Sequence, residues 1–216
     1  LTPRIRRLFK LMVPGIIGAG VVHINLFADL IMASFLPVGS ISYLYYADRL
    51  NQLPLSMVGI AVGTALLPML SKALAAGDMT EARTLYNRAL EVTLFFGIPA
   101  AVGLFLAAEP IINVLFRHGA FDQGDAAVTA MVLRCYSIGL PAYVAVKVLA
   151  TAFWSRQDTI TPVKISIVTA LTNIVLAVIL MQFMGVTGIA LATGIVAWLQ
   201  IVLYQLYLKG HEAAVY

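Results

Sequence analysis

Polar side chains recur at regular spacing within a long apolar segment in the first third of the chain. They fall every three or four positions, which places them along one side of an α-helix. The stripe consists of Ser42, Tyr45, Arg49, Gln52 and Ser56. Because the planar guanidinium of arginine binds phosphate oxygens through two parallel hydrogen bonds, the stripe could bind an anionic, phosphate-bearing group. Asp48 lies about 100° round the helix from Arg49 and need not share this face.

The preceding apolar segment carries His23, Asn25 and Asp29, with Asn25 and Asp29 one helical turn apart. Two interpretations of the charges are open. Arg49 and Asp29 could form an ion pair that joins two helices, or they could line a water-filled cavity that attracts anions. The second is favoured, because a buried ion pair often fails to repay its own desolvation and a charge within a membrane span costs about 2.5–3.5 kcal/mol.

Asn173 and Thr193 offer neutral oxygens within two later apolar segments. With Asp29 they could complete an oxygen site for a hard monovalent cation. The alternative is that they form hydrogen bonds between helices. Arg134 and Lys147 lie near the ends of their segment, and we expect them to extend toward the two membrane surfaces.

The elements that carry these residues are predicted from composition. Of the 216 residues, 61% are hydrophobic and 11% charged, with a mean hydropathy of +0.94. Soluble domains carry about 25% charged residues. Since about 20 apolar residues span a bilayer as a helix, the sequence predicts an all-α bundle of six transmembrane helices. The predicted spans are residues 11–36, 41–70, 88–108, 126–153, 163–184 and 187–208.

The basic residues predict the orientation of these spans. Ten of the 14 Lys and Arg residues fall on the side that holds both ends of the chain, and Arg117 is on the other. The positive-inside rule therefore places both ends in the cytoplasm. The net charge of +4 is spread over loops and does not form a stripe for nucleic acid. Residues 71–87 have charges at helical spacing and predict a separate short helix at the membrane surface.

No sequence motif for catalysis is present: the chain lacks HExxH, GxSxG, the phosphate-binding loop and a paired-carboxylate arrangement. The single cysteine, Cys135, excludes an intrachain disulfide. We therefore expect a protein that is not an enzyme.

Several motifs resemble the MurJ/MviN family of the MOP flippase superfamily. They lie in the family's order over nearly the whole chain: Met12-Val13-Pro14-Gly15 with Asn25 and Asp29, Tyr46-Ala47-Asp48-Arg49-Leu50, Leu115-Phe116-Arg117-His118-Gly119-Ala120-Phe121, and Ser155-Arg156-Gln157-Asp158 with Thr161-Pro162-Val163-Lys164. The resemblance implies helices seven to twelve, with residues 1–216 forming one lobe of a two-lobed transporter in the bacterial inner membrane. The N-terminal lobe of the same polypeptide would then be its partner.

The resemblance also implies a substrate and site residues. Family members move lipid II, the undecaprenyl-pyrophosphate-linked peptidoglycan precursor, from the inner to the outer leaflet among membrane lipids. Arg49 corresponds to a cavity arginine, and the cavity would include Asp29, Asn25, Tyr45, Gln52 and Ser56. Some members hold Na+ at positions that match Asp29, Asn173 and Thr193, while Ala177 stands where a further acidic ligand is expected. Alternatives are an exporter of polysaccharide lipids or drugs from the same superfamily, or a membrane scaffold for cell-wall assembly.

Overall fold

Helices form all the regular structure in the computed structural model, which describes residues 20–21 and 23–213. The first helix, α1, covers residues 23–34. The others are α2 (Ser40–Ala61), α3 (Leu67–Ala75), α4 (Met79–Leu106), α5 (Ala108–Phe116), α6 (Gln123–Ser155), α7 (Ile160–Met184) and α8 (Val186–Ala213). No strand occurs among the described residues, so the prediction of an all-α bundle is confirmed.

Five helical segments are long and apolar enough to cross a membrane. They are Ser40–Ala75, Met79–Leu106, Gln123–Ser155, Ile160–Met184 and Val186–Leu208. Each covers one of the last five predicted spans. Most of the N-terminal half of the first predicted span, residues 11–36, lies outside the described residues, so its full length stays a prediction.

The segment Ser40–Ala75 is one continuous helical rod with two irregular points. Pro54 lies inside α2 and has no N–H for the carbonyl one turn earlier. Five residues with π-helical hydrogen bonding, Val62–Leu66, then connect α2 to α3. Single π-helical turns are often found near functional sites, because they shift the register of one helix face. The polar stripe thus lies on a helix with one irregular point within the stripe, at Pro54, and a second point after its last residue, at Val62–Leu66.

The prediction of a separate short helix over residues 71–87 is wrong. Residues 71–75 complete α3, and α4 begins at Met79 after a tight turn. Gly77 takes the left-handed backbone conformation, with φ of 75°, that ends a helix. The carboxylate of Asp78 then accepts the backbone N–H of Glu81 at 2.8 Å and caps α4. The charged residues therefore belong to the ends of two long helices.

Helix α6 is the centre of the bundle and packs against α2, α4, α5 and α8. The closest approach is to α8, where a Cβ atom added to Gly139 would lie 2.6 Å from the Cα of Gly194. Small residues at such crossings let helices pack closely in lipid. Gly194 is therefore a packing residue. Gly59, on α2, has no atom within 4 Å of an added Cβ and makes no such contact among the described residues.

Helices α4 and α7 expose long rows of large apolar side chains. On α4 these include Phe95 and Phe96, and on α7 they include Leu171, Val175 and Phe183, which is 81% exposed. Exposed apolar surface on this scale is expected of helices that face hydrocarbon.

The N-terminal end of α2 is fixed against the start of α6 by polar and aromatic contacts. The Tyr43 hydroxyl donates a hydrogen bond to the Asp125 carboxylate. Asp125 also forms a reciprocal cap with Asp122 at the first turn of α6. Beside them, the rings of Tyr46 and Phe116 stack with centroids 4.6 Å apart. These contacts set the direction in which α2, and with it the polar stripe, leaves the end of the bundle.

Candidate functional site

The predicted polar stripe forms an exposed face of α2. Tyr45, Arg49 and Ser56 are exposed, and Gln52 is half-buried. The opposite face of the helix carries the fully buried Ala47. The described residues therefore leave the polar face of this span-length helix uncovered.

An aromatic ring positions the guanidinium of Arg49. Its Cζ atom lies 4.7 Å from the centroid of the Tyr45 ring, one turn earlier on the helix. Such a cation–π contact is worth about 0.5–1 kcal/mol at an exposed site. It leaves the edge of the guanidinium, with its N–H donors, free to bind an anion.

Asp48 belongs to this face, although the helical spacing from Arg49 did not require it. Its half-buried carboxylate accepts a hydrogen bond from the side-chain amide of Gln52. The Ser56 hydroxyl donates to the backbone carbonyls of Gln52 and Leu53, the latter at 3.2 Å. The spacing of four residues between Asp48 and Gln52 is the signal that could have identified this contact from the sequence.

A second polar group joins α1 to α7. The side-chain amide of Asn173 donates to Oδ1 of Asn25 at 3.1 Å and to Oδ1 of Asp29 at 3.4 Å. Asp29 and Asn173 are both buried, with 8% and 2% of their surface exposed. The carbonyl oxygen of the Asn173 amide is buried and has no hydrogen-bond partner among the described residues. Such an orphaned acceptor is unusual in a protein interior.

Thr193 is placed differently from the expectation. Its hydroxyl donates to the backbone carbonyl of Ile189 at 3.0 Å, and its own backbone carbonyl accepts the Tyr143 hydroxyl at 2.9 Å. Within the described part of the chain, no hydrogen bond connects the Thr193 side chain to Asp29 or Asn173. The structure therefore brings together three of the predicted polar residues, Asn25, Asp29 and Asn173, and leaves the Thr193 hydroxyl bonded to its own helix.

The ion pair between Arg49 and Asp29, one of the two open interpretations, is absent from the described residues. Asp29 instead bonds to Asn173, and Arg49 lies over Tyr45. No salt bridge therefore joins the two polar groups within the described part of the chain.

Arg134 and Lys147 play no part in either group. Arg134 donates to the carbonyl of Phe105 at 3.4 Å and pairs with Glu109 at 3.8 Å, near the junction of α4 and α5. Lys147 is exposed.

Comparison with known proteins identifies the family. Residues 1–214 match the model of the family described as lipid II flippase MurJ. The chain belongs to this family. Members are named for flipping a lipid, which is transport and not catalysis, in agreement with the expectation of a protein that is not an enzyme. Family membership and five helices of spanning length make the chain part of a membrane protein.

Curated members of the MurJ family cover almost all of the chain. A probable lipid II flippase MurJ of Rhizobium tropici is 40% identical over 212 residues, which are 97% of this chain and 40% of the relative. The relative from Vibrio cholerae is also 40% identical, over 214 residues, 99% of the chain and 40% of its own length. The chain therefore spans about two fifths of the length of the curated relatives it matches.

Solved structures extend the comparison to the fold. A lipid II flippase MurJ in an inward closed conformation superposes with a TM-score of 0.83 at 34% identity, over 95% of this chain and 43% of the other. A multidrug resistance MATE family transporter of the MOP superfamily, in an outward-facing conformation, superposes with a TM-score of 0.81 at 20% identity, over 93% of this chain and 44% of the other. The fold is therefore that of one half of a MOP-type transporter, as the sequence predicts.

Proposed function

We propose that the full protein moves lipid II across the bacterial inner membrane and that this chain supplies one of its two lobes. The observation that carries the proposal is the exposed Arg49, which lies on a polar face of a span-length helix and forms no salt bridge with a carboxylate of the described residues. An exposed guanidinium suits a diphosphate headgroup, because the headgroup presents several oxygens to its planar set of N–H donors.

In this proposal the polar face of α2 is one wall of a cavity shared with the other lobe. The headgroup binds near Arg49, with Gln52 and Ser56 as neutral partners, and the polyprenyl tail stays in lipid. Asp48 orients Gln52 through their hydrogen bond. The two lobes then rock about the headgroup to open on the opposite side, as alternating access requires.

We also propose the orientation of the lobe. The ends of α3, α6 and α8 and the start of α4 share one end of the bundle, where most loop Lys and Arg residues lie. The positive-inside rule assigns this end to the cytoplasm.

Other roles fit less well: a MATE transporter shares the fold at 20% identity, whereas relatives at 40% identity are named for lipid II. A scaffold gives no reason to keep a lone arginine in a span.

The side-chain oxygens of the α1–α7 group are suitable ligands for a monovalent cation. The carboxylate of Asp29 and the amide oxygens of Asn25 and Asn173 are hard oxygen ligands, and the orphaned Asn173 oxygen would gain a partner. Because amide oxygen and nitrogen can exchange places, Asn173 could present its oxygen to Na+ in place of its N–H groups. Ala177 is fully buried and adds no ligand. We propose Asn25, Asp29 and Asn173 as the Na+ ligands that this lobe supplies, with the Thr193 hydroxyl secondary.

The proposed role of Arg49 is tested by growth of a flippase-depleted bacterium that carries the full-length gene. Arg49→Ala should abolish growth support at a normal protein level in the membrane, because Arg49 forms no salt bridge with a buried carboxylate of the described residues. Arg49→Lys should rescue in part, since lysine keeps the charge and loses the bidentate geometry. Arg88→Ala is the matched control: Arg88 is exposed, pairs with Glu91 at 3.3 Å, and lies away from the stripe.

Two results would contradict this assignment. If Arg49→Ala supports growth as well as Arg88→Ala, the guanidinium is not used for the substrate. If Arg49→Ala lowers the membrane level of the protein and Asp29→Ala restores both level and growth, the two charges stabilise each other instead.

A further inference from the structure

A basic pocket lies at the end of the bundle assigned to the cytoplasm, away from the polar stripe of α2. Its volume is about 800 Å³, and it lies where α3, α4, α6 and α8 meet. The side chains with polar atoms that line it are Arg83, Arg156, Thr80, Thr84, Tyr86, Asn87 and Ser155. No acidic residue of the described chain lines it, and no residue of the stripe does.

The lining of this basic pocket has two chemically different parts. Two guanidinium groups and the side-chain amide of Asn87 carry the N–H donors that a phosphate group needs. The hydroxyls of Thr84 and Ser155 already donate to backbone carbonyls of their own helices, at 2.9 Å each. The other walls are apolar and include Leu70, Leu74 and Leu208. A ligand with a phosphate at one end and hydrocarbon at the other would satisfy both parts.

The surroundings of the basic pocket place it at the level of lipid headgroups. Trp154 directly precedes the lining residues Ser155 and Arg156, and it is 46% exposed. Tyr207, beside the lining residue Leu208, is 41% exposed. Exposed Trp and Tyr side chains are enriched at the boundary between hydrocarbon and water. The basic pocket therefore lies at the level of the phosphate groups of the adjacent leaflet.

We propose that the basic pocket binds the phosphate headgroup of an anionic phospholipid of the adjacent leaflet, with Arg156 as a principal contact. Basic pockets between transmembrane helices on the cytoplasmic side are suited to such headgroups. The volume falls within the range of small-molecule sites and accommodates a glycerophosphate with the first carbons of its acyl chains. Ser155 and Arg156 are the first two residues of the motif Ser155-Arg156-Gln157-Asp158. The function proposed for the polar stripe gives this motif no role.

The experiment measures lipids retained by the purified full-length protein in native mass spectrometry. Phosphatidylglycerol should be retained at least about tenfold better than phosphatidylcholine, the ratio expected for one charge-assisted hydrogen bond. Arg156→Gln should remove most of this preference, and Arg156→Lys should keep part of it. Arg88→Gln removes the same charge from α4 outside the basic pocket and should leave the preference unchanged.

Several outcomes would overturn the proposal. Equal retention of the two lipids by the unaltered protein would show that the site is not selective or is covered by the rest of the polypeptide. Equal losses in Arg156→Gln and Arg88→Gln would indicate general surface charge. Displacement of phosphatidylglycerol by equimolar glycerol 3-phosphate would assign the site to a free phosphate. Comparison of lipid binding by the unaltered protein and by Arg156→Lys decides the matter even if Arg156→Gln fails to fold, and it does not depend on the proposed transport.

Discussion

At the scale of single residues, each proposed site residue is held by a neighbour on its own helix or on one other helix. Tyr45 lies under Arg49, Asp48 holds Gln52, and Asn173 spans Asn25 and Asp29. Only the last of these contacts crosses between helices. The arginine is thus positioned by α2 alone, while the α1–α7 group depends on how two helices pack.

The contact between Tyr45 and Arg49 predicts a matched pair of variants. Tyr45→Phe keeps an aromatic face for the guanidinium, whereas Tyr45→Leu removes it. With about 0.5–1 kcal/mol at stake, Tyr45→Leu should lower the rate of lipid II flipping in liposomes by about two- to fivefold. Tyr45→Phe should stay near the unaltered rate. A loss in Tyr45→Phe that matches Tyr45→Leu would show that the hydroxyl, and not the ring, is required.

The α1–α7 group predicts stabilisation by Na+. If Asp29 and Asn173 bind the ion, the melting temperature of the full-length protein should be higher in NaCl than in choline chloride, by mass action. At 100 times the dissociation constant, the gain is about 3 kcal/mol. Asp29→Asn should abolish the gain. Thr193→Val should retain most of it, because the Thr193 hydroxyl bonds to Ile189. Identical melting curves in the two salts would rule out the site.

The residues of the two groups were predictable to different degrees. The stripe on α2 follows from a spacing of three and four residues within one segment, and the structure exposes that face. Asn25 and Asn173 are 148 positions apart, so their contact follows from tertiary packing and no local spacing encodes it. The sequence suggested Asn173 only as a polar residue in a span and through the family resemblance. Thr193 met the same criterion, yet its hydroxyl is bonded within α8.

At the scale of helices, close packing in lipid depends on the positions of glycine residues, which have no side chain to separate two backbones. Gly139 on α6 and Gly194 on α8 let two backbones touch, and the Cys135 carbonyl lies 3.0 Å from a Cβ added to Gly194. Nearby, the indole N–H of Trp198 donates to the carbonyl of Ile138 at 3.0 Å. Because lipid provides no hydrophobic attraction between helices, such contacts hold α8 to the centre of the bundle.

This crossing predicts opposite effects for two glycine-to-alanine changes. Gly139→Ala places a methyl group 2.6 Å from the Gly194 Cα and should destabilise the protein by about 1–3 kcal/mol. Gly103→Ala, inside α4, meets no atom within 4 Å and should be neutral or stabilise the helix by up to about 1 kcal/mol. The melting temperature of the full-length protein in detergent measures both. If Gly139→Ala melts at or above the temperature of Gly103→Ala, the α6–α8 contact is looser than described.

At the scale of the whole molecule, the lobe is organised round one buried helix with lipid-facing helices outside it. Of an apolar 18-residue stretch in each helix, 72% is buried in α6, against 17% in α4 and 22% in α7. All three have a mean hydropathy well above that of soluble proteins, so hydropathy alone does not distinguish them. The last five predicted spans are therefore confirmed as helices of spanning length, while the position of each within the bundle came only from the structure.

The proposed orientation predicts which single cysteines react with a membrane-impermeant reagent in intact cells. With Cys135 replaced by serine in the full-length protein, cysteines at Val38, Gln123 and Met184 should label from outside, because all three side chains are exposed. Cysteines at Ala76 and Thr159 should label only after the membrane is opened. Ser40 is unsuitable, since it is 3% exposed. Labelling of a cysteine at position 76 in intact cells would show that the orientation is the reverse of the one proposed. It would contradict the assignment of the Lys- and Arg-rich end of the bundle to the cytoplasm.

The boundaries of the helices were less predictable than their number. The apolar runs located α4, α6, α7 and α8, because a run of about 20 apolar residues has few alternatives in a membrane. The separate helix expected at 71–87 failed because one residue, Gly77, ends α3 and the next caps α4. The π-helical residues Val62–Leu66 have no distinguishing composition, and their hydrogen bonding reflects the tertiary fit of α2 and α3.

The single-residue connection between α7 and α8 has a consequence for biogenesis. Only Gly185 separates the two helices, and a Cβ at Gly188 would lie 2.4 Å from the Leu180 carbonyl oxygen, so they form a tight hairpin. Apart from its contacts to α8, α7 touches α6 only slightly and reaches α1 through Asn173. With a connection of one residue, α7 cannot insert into the bilayer independently of α8. We expect the insertion machinery to release α7 and α8 together, as a preformed pair that docks on α6 through Gly194.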